Sequence, residues 1–145
     1  MSREILFRGK RTDNGEWVEG YFIKTKLGKD TSPSDVVFVP WKENRNEEWG
    51  WIKVDPDTLC QYTGLTDKNG KKIWENDIIK TSRYGKDDGK GSNFAGFDIF
   101  SVQWDDEGFA LYSKWRRFNL RDNNGYEVIG NIFDNPELLT TNEGA

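Results

Sequence analysis

The stretch from Gln61 to Ile79 restricts the fold of this chain more than any other. Its two apolar-bearing runs, Gln61–Thr66 and Ile73–Ile79, are parted by Asp67-Lys68-Asn69-Gly70. Asn69-Gly70 suits a two-residue hairpin turn, whose central positions both need positive φ, a conformation that Asn and Gly reach most cheaply. A tight antiparallel hairpin is therefore expected here.

The same pattern recurs along the chain. Trp17–Ile23, Val36–Val39, Ile73–Lys80, Phe97–Trp104 and Glu127–Phe133 are short, aromatic or β-branched, and bounded by turn residues, as strands are. Asn14-Gly15 and Asn124-Gly125 each precede a strand, and Asp105-Asp106-Glu107-Gly108 turns another pair. No long stripe of helical period is present. The expected fold is mainly β: a small single domain, residues 1–145, of antiparallel hairpins forming a meander or barrel-like sheet. A short C-terminal helical turn is expected, with Asn135 as N-cap and Pro136 at the first helical position before Glu137-Leu138-Leu139. The even spacing of the three Asn-Gly pairs invites a repeat reading. Beyond the turn and a following Val or Ile, however, the three segments share little. Residues 26–35 and 81–93 read as mobile loops, and 140–145 as a frayed tail.

A globular domain of this size buries about 68–70% of the surface of its unfolded chain. Apolar residues are only 34% of the sequence and charged ones 32%, so the core is expected to draw on seven Trp, nine Phe and five Tyr. Each aromatic buries on the order of 150–250 Å².

Charge and residue inventory exclude several classes of function. The net charge of −4, with acids and bases intermixed, is not the basic footprint of a dedicated nucleic-acid binder. The absence of histidine removes Ser-His-Asp and Cys-His catalysis and most zinc sites. Cys60 is the single cysteine, so no disulfide can form within the chain, and a reducing compartment is expected. Without a cation or histidine beside it, Cys60 reads as a small buried hydrophobe rather than a nucleophile. The first residues contain no apolar signal region, and no apolar run approaches 18 residues. A soluble, cytoplasmic protein without membrane attachment is expected.

The segment from Tyr84 to Ser92 resembles a phosphate-binding loop only superficially. A Walker loop needs four residues between its glycines and Lys followed directly by Ser or Thr. Here the glycine spacing is one residue short, Gly91 divides Lys90 from Ser92, and Asp87 and Asp88 would repel an anion. Asp55, Asp57, Asp67, Glu75 and Asp77 lack the ligand series of a calcium loop and read as carboxylates that orient turns and strand ends. No metal, cofactor or catalytic residue is expected.

Two sets of residues are candidate contacts. Trp41, Trp49 and Trp51 lie in or beside a polar segment with little apolar support, as an exposed protein interface would. Trp49 and Trp51 share one face of any strand, where they could equally cap a core. Lys114, Trp115, Arg116, Arg117 and Phe118, with Arg121 nearby, interleave cations and aromatics as single-stranded nucleic-acid sites do. The plainer reading is a strand with aromatics inward and cations in water, and it is preferred because one such cluster on an acidic protein supplies little phosphate attraction.

Gln61-Tyr62-Thr63-Gly64-Leu65, Asp67-Lys68-Asn69-Gly70, then Ile73, Glu75 and Asp77-Ile78-Ile79 resemble the signature of the YopX family of small phage and prophage proteins. Glu127 to Leu139 resembles that family's C-terminal block, and Arg3 to Gly9 its usual start. Asn76 stands where the family commonly has Gly before Asp, and Asn is the next best residue at positive φ. The resemblance implies a mostly β protein encoded in phages or prophages, with no catalytic or cofactor residues to carry over.

The expected function is that of a non-enzymatic phage accessory protein, a module binding a host or phage protein. Self-association is open, because edge strands need protection. The alternative is a single-stranded nucleic-acid binder, and a hydrolase relying on carboxylates alone is the least favoured.

Overall fold

The computed structural model describes residues 5–25, 34–39, 50–84, 94–114, 116–121 and 125–140. The protein is mostly β, with two antiparallel sheets and one short helix at the C-terminal end. It divides into two compact units, Met1–Tyr62 and Thr63–Ala145.

In the first unit, β1 (Phe7–Lys10), β2 (Trp17–Thr25), β3 (Ser34–Val39) and β4 (Gly50–Lys53) form a meander in which each strand pairs with the next. β5 (Cys60–Thr66) returns to the free edge of β1, pairing Cys60 with Arg8 and Gln61 with Phe7. A single 3-10 turn, Pro56–Thr58, precedes β5, and Asp55 caps it by accepting from the Asp57 N–H. Gly9 is required for close packing, since a Cβ there would stand 3.0 Å from Cβ of the buried Val54.

The second unit repeats this strand order. β7 (Asp77–Tyr84), β8 (Phe94–Asp105), β9 (Gly108–Tyr112) and β10 (Arg117–Asn119) form a second meander, and β11 (Glu127–Asn131) returns to the free edge of β7. The remainder of β5 neighbours the short β6 (Lys72–Trp74), and α1 (Glu137–Thr140) ends the described chain. The meander is thus realised twice, and among the described residues neither sheet closes into a barrel. The Asn-Gly pairs fall at inequivalent points, before β2, before β6 and before β11, so the repeated strand order does not follow their spacing.

A hairpin forms from β5 and β6, but with a different turn, and the expected strand Ile73–Lys80 is broken at Glu75-Asn76, so that Asp77–Ile79 opens β7 in the other sheet. Gly70 has φ of 80°, whereas Asn69 is not among the residues of positive φ. Asp67 pairs with Lys71 around a three-residue loop, its N–H donating to the Lys71 carbonyl at 2.8 Å and the Gly70 N–H donating to the Asp67 carbonyl at 3.0 Å. The physical reason is the Asp67 carboxylate, whose Oδ1 accepts from the Asn69 and Lys71 N–H groups at 2.9 Å each and winds the turn right-handed. Only the last loop residue then needs positive φ. Asn76 does take the left-handed conformation, at φ 71°.

Three further expectations are corrected. Residues 81–84 continue β7, and Ser34 and Asp35 begin β3, so the two expected loops are shorter than the sequence suggested. Their remaining parts, the Walker-like segment after Tyr84, and most of the expected tail lie outside the described residues. Asn135 turns its side chain back, accepting from the Asn131 N–H at 3.3 Å instead of capping α1. Finally, among the described residues the core is less aromatic than expected. Its fully buried side chains include Val36, Val37, Val54, Ile73, Ile78 and Ile79, while Tyr21, Phe22, Trp51, Phe97, Trp104 and Phe118 are exposed. β-branched side chains fit between paired strands, and each contributes about 1.5–3 kcal/mol when fully buried.

Candidate functional site

Two surfaces carry exposed aromatics, one on each unit, while Phe22, Phe97 and Trp104 are exposed elsewhere. On the first, Tyr21 pairs with Phe38 across β2 and β3, and Phe38 pairs with Trp51 across β3 and β4. Directly opposed residues share a face, so Tyr21 and Trp51 flank β3 on one side of the sheet. They are 54% and 55% exposed. Strand alternation adds Ile23 and Trp17 to this side, and the register adds Lys10, Arg8 and Lys53. The Arg8 guanidinium lies 4.6 Å and the Lys10 ammonium 5.3 Å from the centre of the Trp17 ring, each held over it as a cation on a π face. Trp51 is therefore an exposed strand residue. Trp41 and Trp49 lie outside the described residues.

On the second unit, a cleft of about 360 Å³ opens where β7, β8, β9 and β10 meet the segment leading to β11. Phe118 stands edge-to-face with Phe100 at 5.7 Å and 87°, and remains 47% exposed. Arg116 pairs with Asp98 at 3.0 Å, and its guanidinium reaches within 5.8 Å of the Phe118 ring centre. Arg121 lines the same cleft and has no acidic partner among the described residues. Thr81, Ser82 and Tyr126 also line it, and their hydroxyls make no hydrogen bond to another described residue.

Of the basic and aromatic cluster, the structure brings Arg116, Phe118 and Arg121 together. Lys114 is exposed outside the cleft lining, and Trp115 is not among the described residues. Arg117 diverges, because alternation along β10 turns it to the other face. There it forms a two-pronged pair with Asp105, with nitrogen–oxygen distances of 2.7 and 3.0 Å, while the Tyr112 hydroxyl donates to the same carboxylate. Hydrogen bonds from Arg117 and Tyr112 hold the Asp105 carboxyl well below the usual range, and those from Arg117 to Asp105 raise the guanidinium in turn. The sequence offered no sign of Thr81, Ser82, Asp98 or Tyr126 as partners, since they come from distant strands.

Two of the other acids are separately engaged. Asp77, 1% exposed, accepts from the Trp74 N–H at 2.8 Å, and Asp67 accepts from three backbone N–H groups. Asp98 is the one carboxylate among the described residues lining the cleft, and it is ion-paired. Among the described residues no group of three metal-ligating side chains converges. Cys60 is fully buried, with its thiol donating to the Thr58 carbonyl at 3.1 Å. No helix among the described residues is long and apolar enough to cross a membrane.

Fold and surfaces define a small two-sheet β protein with exposed aromatic contacts. The profile of the YopX protein family matches residues 6–140, and the chain belongs to that family. Among solved structures it resembles protein EF1440 from Enterococcus faecalis, with a TM-score of 0.55 and 25% identity over 95% of this chain and 99% of that one. No curated protein matches it.

Proposed function

We propose that this chain is a phage- or prophage-encoded accessory protein without catalytic activity, which works by holding a protein partner against the aromatic face of its first unit. One observation carries the reading: Tyr21 and Trp51 stand more than half exposed on the same side of the two strands flanking β3. Large aromatics left in water mark contact surfaces, and Trp and Tyr dominate the energetics of such contacts. The cations stacked on Trp17, with Lys53 exposed beside Trp51, favour a partner whose surface is apolar and acidic. The phage or prophage setting rests on the family, and a cytoplasmic location on the single reduced cysteine.

The test is capture from bacterial extract followed by titration of the purified partner. Wild-type protein binds saturably, whereas Tyr21→Ser and Trp51→Ser each weaken binding by about 10-fold or more, the scale of interface hot spots. Phe118→Ala, on the other unit, leaves it unchanged. Full affinity in the Tyr21→Ser/Trp51→Ser double variant would remove the assignment.

A further inference from the structure

The cleft on the second unit has a chemistry of its own, independent of the aromatic face on the first. We propose that it holds one nucleotide unit, an aromatic base carrying a single phosphate, either as a free nucleotide or within a single strand. Its volume, about 360 Å³, falls in the range of small-ligand sites. Phe118 is braced by Phe100 and half exposed, which gives a base a rigid ring to stack on.

The charges set the size of the anion. Asp98 neutralises Arg116, so Arg121 supplies the one uncompensated cation of the described lining. That matches a phosphodiester or a monophosphate, whereas a di- or triphosphate calls for a cluster of cations or a bound metal. The hydroxyls of Thr81, Ser82 and Tyr126 are unspent donors and acceptors around the same space. Tyr126 is 6% exposed as a residue, yet its hydroxyl is not among the buried unpartnered polar atoms, so it opens into the cleft where a ligand can reach it. Together they can meet the edge of a base or a sugar.

The experiment titrates the isotope-labelled full chain with a nucleoside monophosphate and, separately, with a short single-stranded oligonucleotide, followed by NMR and by fluorescence anisotropy. Both ligands shift the resonances of Thr81, Ser82, Phe118, Arg121 and Tyr126. Oligonucleotide affinity falls with salt along a logarithmic slope of about −0.7, the value for one phosphate contact on a single strand. Phe118→Ala weakens binding by about fivefold or more, as loss of a stacked base does, and Arg121→Gln flattens the salt dependence. Trp51→Ser changes neither. Tighter binding of the oligonucleotide assigns the site to single strands, and equal binding assigns it to free nucleotides.

Inorganic phosphate competing as well as the nucleotide would overturn the proposal, because the base would then contribute nothing. So would the absence of shifts at millimolar nucleotide, or shifts confined to other surfaces. Both variants lie on exposed side chains, and their amide spectra report whether the fold is intact.

Discussion

The Asp67 carboxylate accepts a hydrogen bond at 3.0 Å from the backbone N–H of Val128, 61 residues further along the chain. Its other oxygen accepts from Asn69 and Lys71, so one side chain both shapes the hairpin turn and ties that turn to β11. Burial pushes this carboxyl up, but the three N–H groups outweigh it, and its pKa lies below the ordinary 3.8.

Asp67→Asn retains an oxygen for the hairpin but turns an amide donor toward one of the N–H groups. A loss of about 1.5–3 kcal/mol is expected in urea unfolding, the scale of a hydrogen bond to a charged group. Because the folded pKa is depressed, the stabilisation is complete above the unfolded value and is lost as pH falls through the folded one. Below about pH 4 the wild type should therefore lose stability more steeply than Asp67→Asn. Parallel curves of stability against pH would show that the carboxylate is not the source.

Gly130 lies within β11, paired with Ile78, and a Cβ built there would clash with Asn135 Oδ1 and come within 3.0 Å of Asn135 Cβ. Gly130→Ala must displace Asn135 and its bond to the Asn131 N–H, at an expected cost of about 1–3 kcal/mol. Adding Asn135→Gly opens the space, so part of that cost should return in a double-mutant cycle measured by thermal unfolding. Strictly additive effects would contradict the contact.

Asn76, at φ 71°, joins β6 to β7 while its N–H donates to the Val102 carbonyl and its carbonyl accepts from the Ile132 N–H. Asn76→Ala keeps those backbone bonds but holds a plain L side chain in the left-handed region, which costs about 1–2 kcal/mol. Asn76→Gly should stay within about 1 kcal/mol of the wild type, and chemical denaturation of the two variants separates them.

The Asp105–Arg117–Tyr112 cluster should be visible without any stability measurement. In a carboxyl NMR titration, Asp105 stays ionised well below the usual aspartate range, because Arg117 and Tyr112 both hydrogen-bond its charged form. Arg117→Gln should move its midpoint back toward the ordinary value. An unmoved midpoint would assign the depression to the other bonds around the carboxylate.

Several strands were legible because alternation and turn residues are local signals, but the run Ile73–Lys80 divides between β6 and β7 of different sheets, and the short β1, β4 and β10 carried no such signal. Turn type was less legible. Asn69-Gly70 reads as a two-residue turn until the Asp67 side chain is included, and that side chain owes part of its placement to Val128 on a distant strand. Asn76 was legible, since positive φ is a property of the residue and its immediate backbone.

For the cleft, the sequence showed a run of cations and aromatics but not how it would divide. Strand alternation separates Arg117 from its neighbours, and pairing with Asp105 on another strand holds it on the other face. The cleft exists only because β7 and β8 bring Thr81, Ser82 and Asp98 beside Phe118. Local patterning thus marks many of the segments that become strands and the residues that can turn the chain, because each depends on a few neighbouring dihedrals. Which aromatics are buried and which cations are neutralised depends on strands paired across long separations, and only the tertiary structure decides that.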